Sequence, residues 1–206
     1  MRILSVSLIG YGLGAVALAA GLPEQVAHSW SAALMAAFLL PTAGAVIYVQ
    51  LRGLCVRHPI DQTSALDVLP IYEAIMLWFM ALIVGVHATV LAGLFGLLSG
   101  RAWAAKIVPL MLGCALIGIG NLLPRTRPNL AIGIRTRAAL ADRALWIRLH
   151  RSAGYLVVAS GTVVVLAALA APVPIGSGMV LLVGPAALVG TCVLVRYFHR
   201  HAHVDL

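Results

Sequence analysis

The stretch from Gly120 to Gly154 holds the side chains best equipped for chemistry. Asn121, Asn129, Arg135, Trp146, His150 and Arg151 stand there, and seven arginines fall between Arg125 and Arg151. Guanidinium forks suit bidentate binding of phosphate or carboxylate, and imidazole is the side chain that titrates nearest neutral pH. Such a set could hold an anionic group. It could also move a proton on one, if Asn121, Arg135 and His150 meet in space. On a helix, Arg143, Trp146 and His150 share a face through i, i+3 and i+7 spacing. The plainer reading of the same residues is an interfacial segment held by arginines, with the amphipathic ring of Trp146 in the headgroup zone.

Two further candidates lie inside an apolar run. Glu73 and His87 are fourteen residues apart. On a helix they fall within about 40° of each other but roughly 21 Å apart along the axis, beyond mutual contact. Ionisable groups at membrane depth usually face protein or water and mark functional sites. The alternatives are an interfacial Glu73 satisfied by Arg52 or Arg57, and a neutral, hydrogen-bonded His87. Asn121 could bond a neighbouring helix or cap its own. Gly10 and Gly14 form a Gly-x-x-x-Gly pair that permits close helix packing.

No Gly-x-Ser-x-Gly, His-Glu-x-x-His, Gly-Lys-Ser/Thr loop or Cys-x-x-Cys is present, so the common hydrolase, zinc-peptidase, nucleotide and redox motifs are missing. Cys55, Cys114 and Cys192 imply no disulfide framework. His199, His201 and His203 lack an acid or Cys to complete a metal site, and read as a solvated tail. No cofactor and no metal are expected.

The elements that position these residues are membrane spans. The chain has 206 residues, 62% hydrophobic and 10% charged, with mean hydropathy +1.04. A soluble domain is nearer half apolar and a quarter charged. About 20 apolar residues cross a bilayer core as a helix. Six segments qualify: Ile3–Leu22, Ala32–Leu51, Pro70–Leu98, Ala104–Leu123, Ser152–Ala171 and Gly178–Val195. Pro172 to Gly178 splits the last two by turn chemistry. A secretory signal peptide is the lesser reading of the first segment. The expected fold is therefore all-α, a polytopic integral membrane protein of six transmembrane helices in one domain, residues 1–206.

Charge sets the expected orientation. Arg2, Arg52, Arg57, Arg125, Arg127, Arg135, Arg137, Arg143, Arg148, Arg151, Arg196 and Arg200 fall on one side, which is twelve of the fourteen basic residues. Arg101 and Lys106 fall on the other. The positive-inside rule then places both termini and the Arg125–Arg151 loop in the cytoplasm. The net charge of +8 fits this topology and anionic lipid headgroups rather than nucleic acid.

The residues Gly120, Asn121, Asn129, Gly133-Ile134-Arg135-Thr136, Leu140, Trp146 and His150-Arg151 resemble, at ungapped spacing, the C-terminal signature of the SdpI family, immunity proteins against a sporulation-delaying peptide toxin. The family's Pro-Trp-Thr is replaced here by Arg137, Ala138 and Ala139. Leu22-Pro23-Glu24 leading to Trp30 is similar to the start of the domain that often precedes the signature, with a shortened first outer loop. The resemblance implies a bacterial inner-membrane protein that protects its cell from a secreted membrane-active peptide, a role sometimes coupled in the family to signalling by holding a repressor at the membrane. It implies a toxin partner on the outer face and a repressor on the arginine-rich loop, with membrane lipids around the spans. Asn121, Asn129, Arg135, Trp146, His150 and Arg151 are the binding residues it implies. Two readings from other classes stand beside it. One is a small transporter or channel along Glu73, His87 and Asn121. The other is a membrane enzyme acting on an anionic lipid or isoprenoid headgroup held by Arg135, Arg148 and Arg151.

Overall fold

The computed structural model describes residues 2–23, 29–57, 65–98, 101–170, 172, 182–183, 186–187 and 189–198. They form α1 (Arg2–Ala20), α2 (Trp30–Arg57), α3 (Ala65–Leu94), α4 (Arg101–Leu122), a 3-10 turn at Leu123–Arg125, α5 (Arg137–Ala141), α6 (Arg143–Ala170) and α7 (Val189–Phe198). No strand occurs among the described residues. Helices α1, α2, α3, α4 and α6 are long and apolar enough to cross a membrane. Their outward faces carry Leu8, Val16, Val49, Leu166 and Leu169 more than half exposed. A surface so apolar needs lipid around it, so the chain is a membrane protein. Of the expected sixth span, Gly178–Val195, much lies outside the described residues; α7 covers its end. His199, His201 and His203 also lie outside them, as does most of the three expected outer loops.

Two loops come out shorter than expected. Helix α2 continues through Arg57 and α3 begins at Ala65, so both ends of the Arg52–Leu69 segment are helical. Helix α6 begins at Arg143 rather than Ser152, because Asp142 caps it. The Asp142 carboxylate accepts the Ala144 and Leu145 N–H groups at 2.7 and 3.2 Å, two of the four donors a helix start leaves unpaired.

In the N-terminal three helices, packing centres on a proline. Pro41 lies inside α2 and has no N–H to give the carbonyl of Ala37, one turn back. The His87 ring of α3 comes against the Ala37 backbone there. Helix α1 lies against the same place: a Cβ on Gly14 would overlap the Ala37 carbonyl oxygen, and one on Gly10 would lie 3.0 Å from Pro41 Cβ. The Gly10/Gly14 pair thus seats α1 on the α2 proline.

In the C-terminal half, α4 and α6 form the most extensive contact among the described elements. Glycines seven residues apart on each helix face one another. A Cβ on Gly161 would lie 2.7 Å from the Gly113 carbonyl oxygen, and one on Gly154 would lie 2.8 Å from that of Gly120. Lipid tails give two apolar helices no hydrophobic reason to associate, so close backbone approach supplies the dispersion contact instead.

Two buried clusters mark the arginine-bearing end. One joins Ile3, Cys55, Val68, Tyr72, Met76, Met80 and Ala131, with Ile132 packed against it. The other joins Ala139, Leu145, Trp146 and Leu149, with Ile134, Val195 and Phe198 against it. The connection between α4 and α6 therefore reaches both halves of the bundle.

Candidate functional site

The connection from Leu123 to Asp142 is built by side chains that replace regular backbone pairing. Pro124 and Pro128 interrupt the helix after α4. The Thr126 hydroxyl donates to the Leu123 carbonyl at 2.7 Å. Asn129 is buried and folds the next turn: its amide donates to the Arg127 carbonyl at 2.7 Å, and its Oδ1 accepts from Ala131 and Ile132 N–H at 2.9 and 2.7 Å. This side-chain substitute for a backbone turn suits Asn. It presents Ala131 and Ile132 to the core of the N-terminal helices. The Arg135 guanidinium donates through Nη1 to the Leu130 carbonyl, closing the loop on itself. Thr136 then caps α5 by accepting the Ala139 N–H at 3.2 Å.

Trp146 and His150, one turn apart on α6, lock this loop to the helix. Both are 0% exposed. Their rings stack with centroids 3.9 Å apart and planes 18° apart. The Trp146 indole N–H donates to the Thr126 carbonyl at 3.1 Å and to its hydroxyl at 3.2 Å. His150 Nδ1 stands 2.8 Å from the Trp146 carbonyl, which can only accept, so Nδ1 carries the proton. His150 Nε2 accepts the Ile134 N–H at 2.9 Å. Those two bonds fix one neutral tautomer and use both ring nitrogens. A second proton on the ring would remove the acceptor that Ile134 needs. Gly133, at φ +110°, lets the loop come this close, since a Cβ there would overlap His150 Nε2.

This corrects the expectation that Trp146 anchors the protein in the headgroup zone. Its ring lies wholly inside, because a partner for the indole N–H waits on Thr126 and a stacking partner on His150. Asn129, Trp146 and His150 are brought together in one latch. Arg135 joins through the loop backbone and is itself exposed. Arg151 is exposed too and donates through Nε to the Tyr155 hydroxyl at 3.3 Å. Asn121 is exposed on α4, and no hydrogen bond draws it into the latch. Glu73 is half-buried on α3. His87 is 1% exposed, and its Nε2 finds no hydrogen-bond partner among the described residues. Among those residues, no three His, Cys, Asp or Glu side chains gather as a metal site.

Sequence reasoning missed Thr126 and Asp142. Asp142 was findable: an Asp just before an apolar, helix-periodic run is a helix-start signal. Thr126 carried no such signal, since its role depends on Trp146 twenty residues later.

The fold and latch define a class: a polytopic helical membrane protein whose helices α4 and α6 are joined by an arginine-rich, internally bonded connection. Residues 125–196 match the model of the SdpI/YfhL protein family. That span contains Thr126, Asn129, Gly133, Arg135, Trp146, His150 and Arg151, so the resemblance read from the signature is shown for this part of the chain. No curated protein and no solved structure matches.

Proposed function

We propose that this protein protects a bacterial cell against a membrane-active peptide and passes a signal to the cytoplasmic side of the inner membrane. The observation that carries the reading is the family match over residues 125–196, which falls on the latch. Its buried part, Asn129, Trp146 and His150, is fully engaged in holding shape. Its exposed part, Arg135 with Arg143, is where a cytoplasmic partner would dock. Ala131 and Ile132 pack on Val68 and Tyr72 of α3, which offers a rigid route from the N-terminal helices to the arginine face. A peptide bound at the outer end would be felt through α3.

The experiment is survival of a peptide-sensitive bacterium expressing the protein, with membrane depolarisation followed by a potential-sensitive dye. Arg135→Lys keeps the charge and loses the planar fork. It should abolish protection at unchanged protein level, while Arg137→Lys should protect as wild type does. Equal protection by both variants, or no protection by the wild type against any membrane-active peptide of the panel, would overturn the reading.

A further inference from the structure

Among the described residues, one face of α6 is left uncovered from Arg148 to Leu169, and its chemistry changes in register with depth. Arg148, Arg151, Tyr155, Ala159, Thr162, Leu166 and Leu169 are all exposed, at successive spacings of three or four residues, so they form one stripe. Ile147 and Val163 beside it are exposed as well, while the opposite side of the helix is covered. Gly154 and Gly161 lie against α4, and Leu156 meets Gly190 near the start of α7. From Arg148 to Leu169 the stripe is about 31 Å long at 1.5 Å per residue, enough for a headgroup region and most of a hydrocarbon core.

The charged end is prearranged. The Arg151 Nε donates to the Tyr155 hydroxyl at 3.3 Å, and the Arg151 side chain is exposed. Arg148 stands one turn away on the same side. Between Arg125 and Arg151 the only acid is Asp142, and its carboxylate is engaged in capping α6. The arginines therefore have no carboxylate of their own segment to neutralise them. Below Tyr155, Ala159 leaves a shallow place between larger residues, followed by Leu166 and Leu169.

The geometry points to this stripe as a binding site for one anionic phospholipid, with its phosphate on Arg148 and Arg151, its glycerol region beside Tyr155 and an acyl chain over Ala159 toward Leu166. The order of chemistries carries the assignment. A guanidinium pair takes phosphate, a tyrosine sits at the interface, and a small residue in an apolar stripe admits a chain. A soluble anion would use the first of these alone.

The test is native mass spectrometry of the full chain in detergent, titrated with phosphatidylglycerol or with phosphatidylcholine of the same acyl chains. Two arginines at a membrane surface, each worth roughly fivefold, should favour phosphatidylglycerol by about twenty-five-fold. Arg148→Gln/Arg151→Gln should bring the preference close to one. Arg137→Gln/Arg196→Gln, which removes the same charge elsewhere, should leave it. Tyr155→Phe, which keeps every charge, should lower it by a few-fold and provides a readout even if the double variant folds poorly. Equal binding of the two lipids would overturn the site. So would an equal loss in the charge-matched control, or displacement of phosphatidylglycerol by millimolar inorganic phosphate. A disulfide-linked dimer from Ala159→Cys, with Cys55, Cys114 and Cys192 replaced, would show a second copy covering the stripe and would also overturn it.

Discussion

Replacing Gly133 with alanine tests the latch at its tightest point. The glycine sits at φ +110°, where a side chain costs about 1–3 kcal/mol in backbone strain. The added Cβ would also overlap His150 Nε2 and lie 2.9 Å from Cδ2 of the same ring. The ring cannot step aside cheaply, because it is stacked on Trp146 and bonded through Nδ1 to the Trp146 carbonyl. Relief of the overlap breaks the bond from Ile134 N–H to Nε2, and unmaking a buried bond costs about 1–3 kcal/mol. Gly133→Ala should therefore lose about 2–6 kcal/mol, a large fraction of the roughly 5–15 kcal/mol that holds a typical domain. His150→Ala removes the ring the Cβ would strike, so in that background Gly133→Ala should cost only the strain. Equilibrium unfolding of the four proteins in mixed detergent micelles, followed by far-ultraviolet circular dichroism, gives the coupling, expected at about 1–3 kcal/mol. A Gly133→Ala loss under about 0.5 kcal/mol, or losses that simply add, would refute the geometry.

Asp142→Ala should lower stability by about 1 kcal/mol and Asp142→Asn by much less, since Asn caps nearly as well; equal losses would remove the cap from the account. Gly161→Val should cost about 1–3 kcal/mol by forcing α6 away from the Gly113 carbonyl, while Gly12→Val, with nothing within 4 Å of its Cβ position, should be close to neutral in the same unfolding assay. Pro41→Ala restores an N–H for the Ala37 carbonyl, so His87→Leu should be better tolerated in that background than in the wild type; an equal loss in both would break the link between the proline and the histidine. With the native cysteines replaced, Leu97→Cys should react with an impermeant thiol reagent in intact cells and Ala141→Cys should not. The reverse pattern would invert the proposed orientation.

The membrane helices were legible because each contains a run of apolar residues that water could not solvate, and that signal is local. The sixth span rests on the same signal, with only Val189–Phe198 and a few residues before it described as helix. The seven-residue glycine spacing was also on the page, in Gly113 and Gly120 and again in Gly154 and Gly161. Its meaning depends on two helices presenting those faces to each other, which neither helix's sequence states alone. Trp146 shows the limit more sharply. A tryptophan among arginines beside an apolar span reads as a headgroup anchor, and the same composition serves a buried ring. What decides between them is Thr126, which becomes a neighbour only after Asn129 has turned the chain. The contrast between buried Asn129 and exposed Asn121 has the same origin: both are polar residues near a helix end, and only one has turn backbone to bond.

The two buried histidines share a physical logic that places them in the architecture before any chemistry. At His87 a proline leaves the Ala37 carbonyl without its helical donor, and the imidazole is set against that backbone. At His150 a non-helical loop leaves the Ile134 N–H without an acceptor, and the imidazole supplies that. Unpaired backbone groups are costly where water is scarce, and neutral imidazole is the one ring that offers a donor on one nitrogen and an acceptor on the other. Both nitrogens of His150 are consumed this way, which leaves it no lone pair for proton transfer while the latch is closed. The outward chemistry of the segment then falls to its arginines. Their charge is fixed, their partners in the segment are few, and the latch beneath them holds the backbone that sets their spacing.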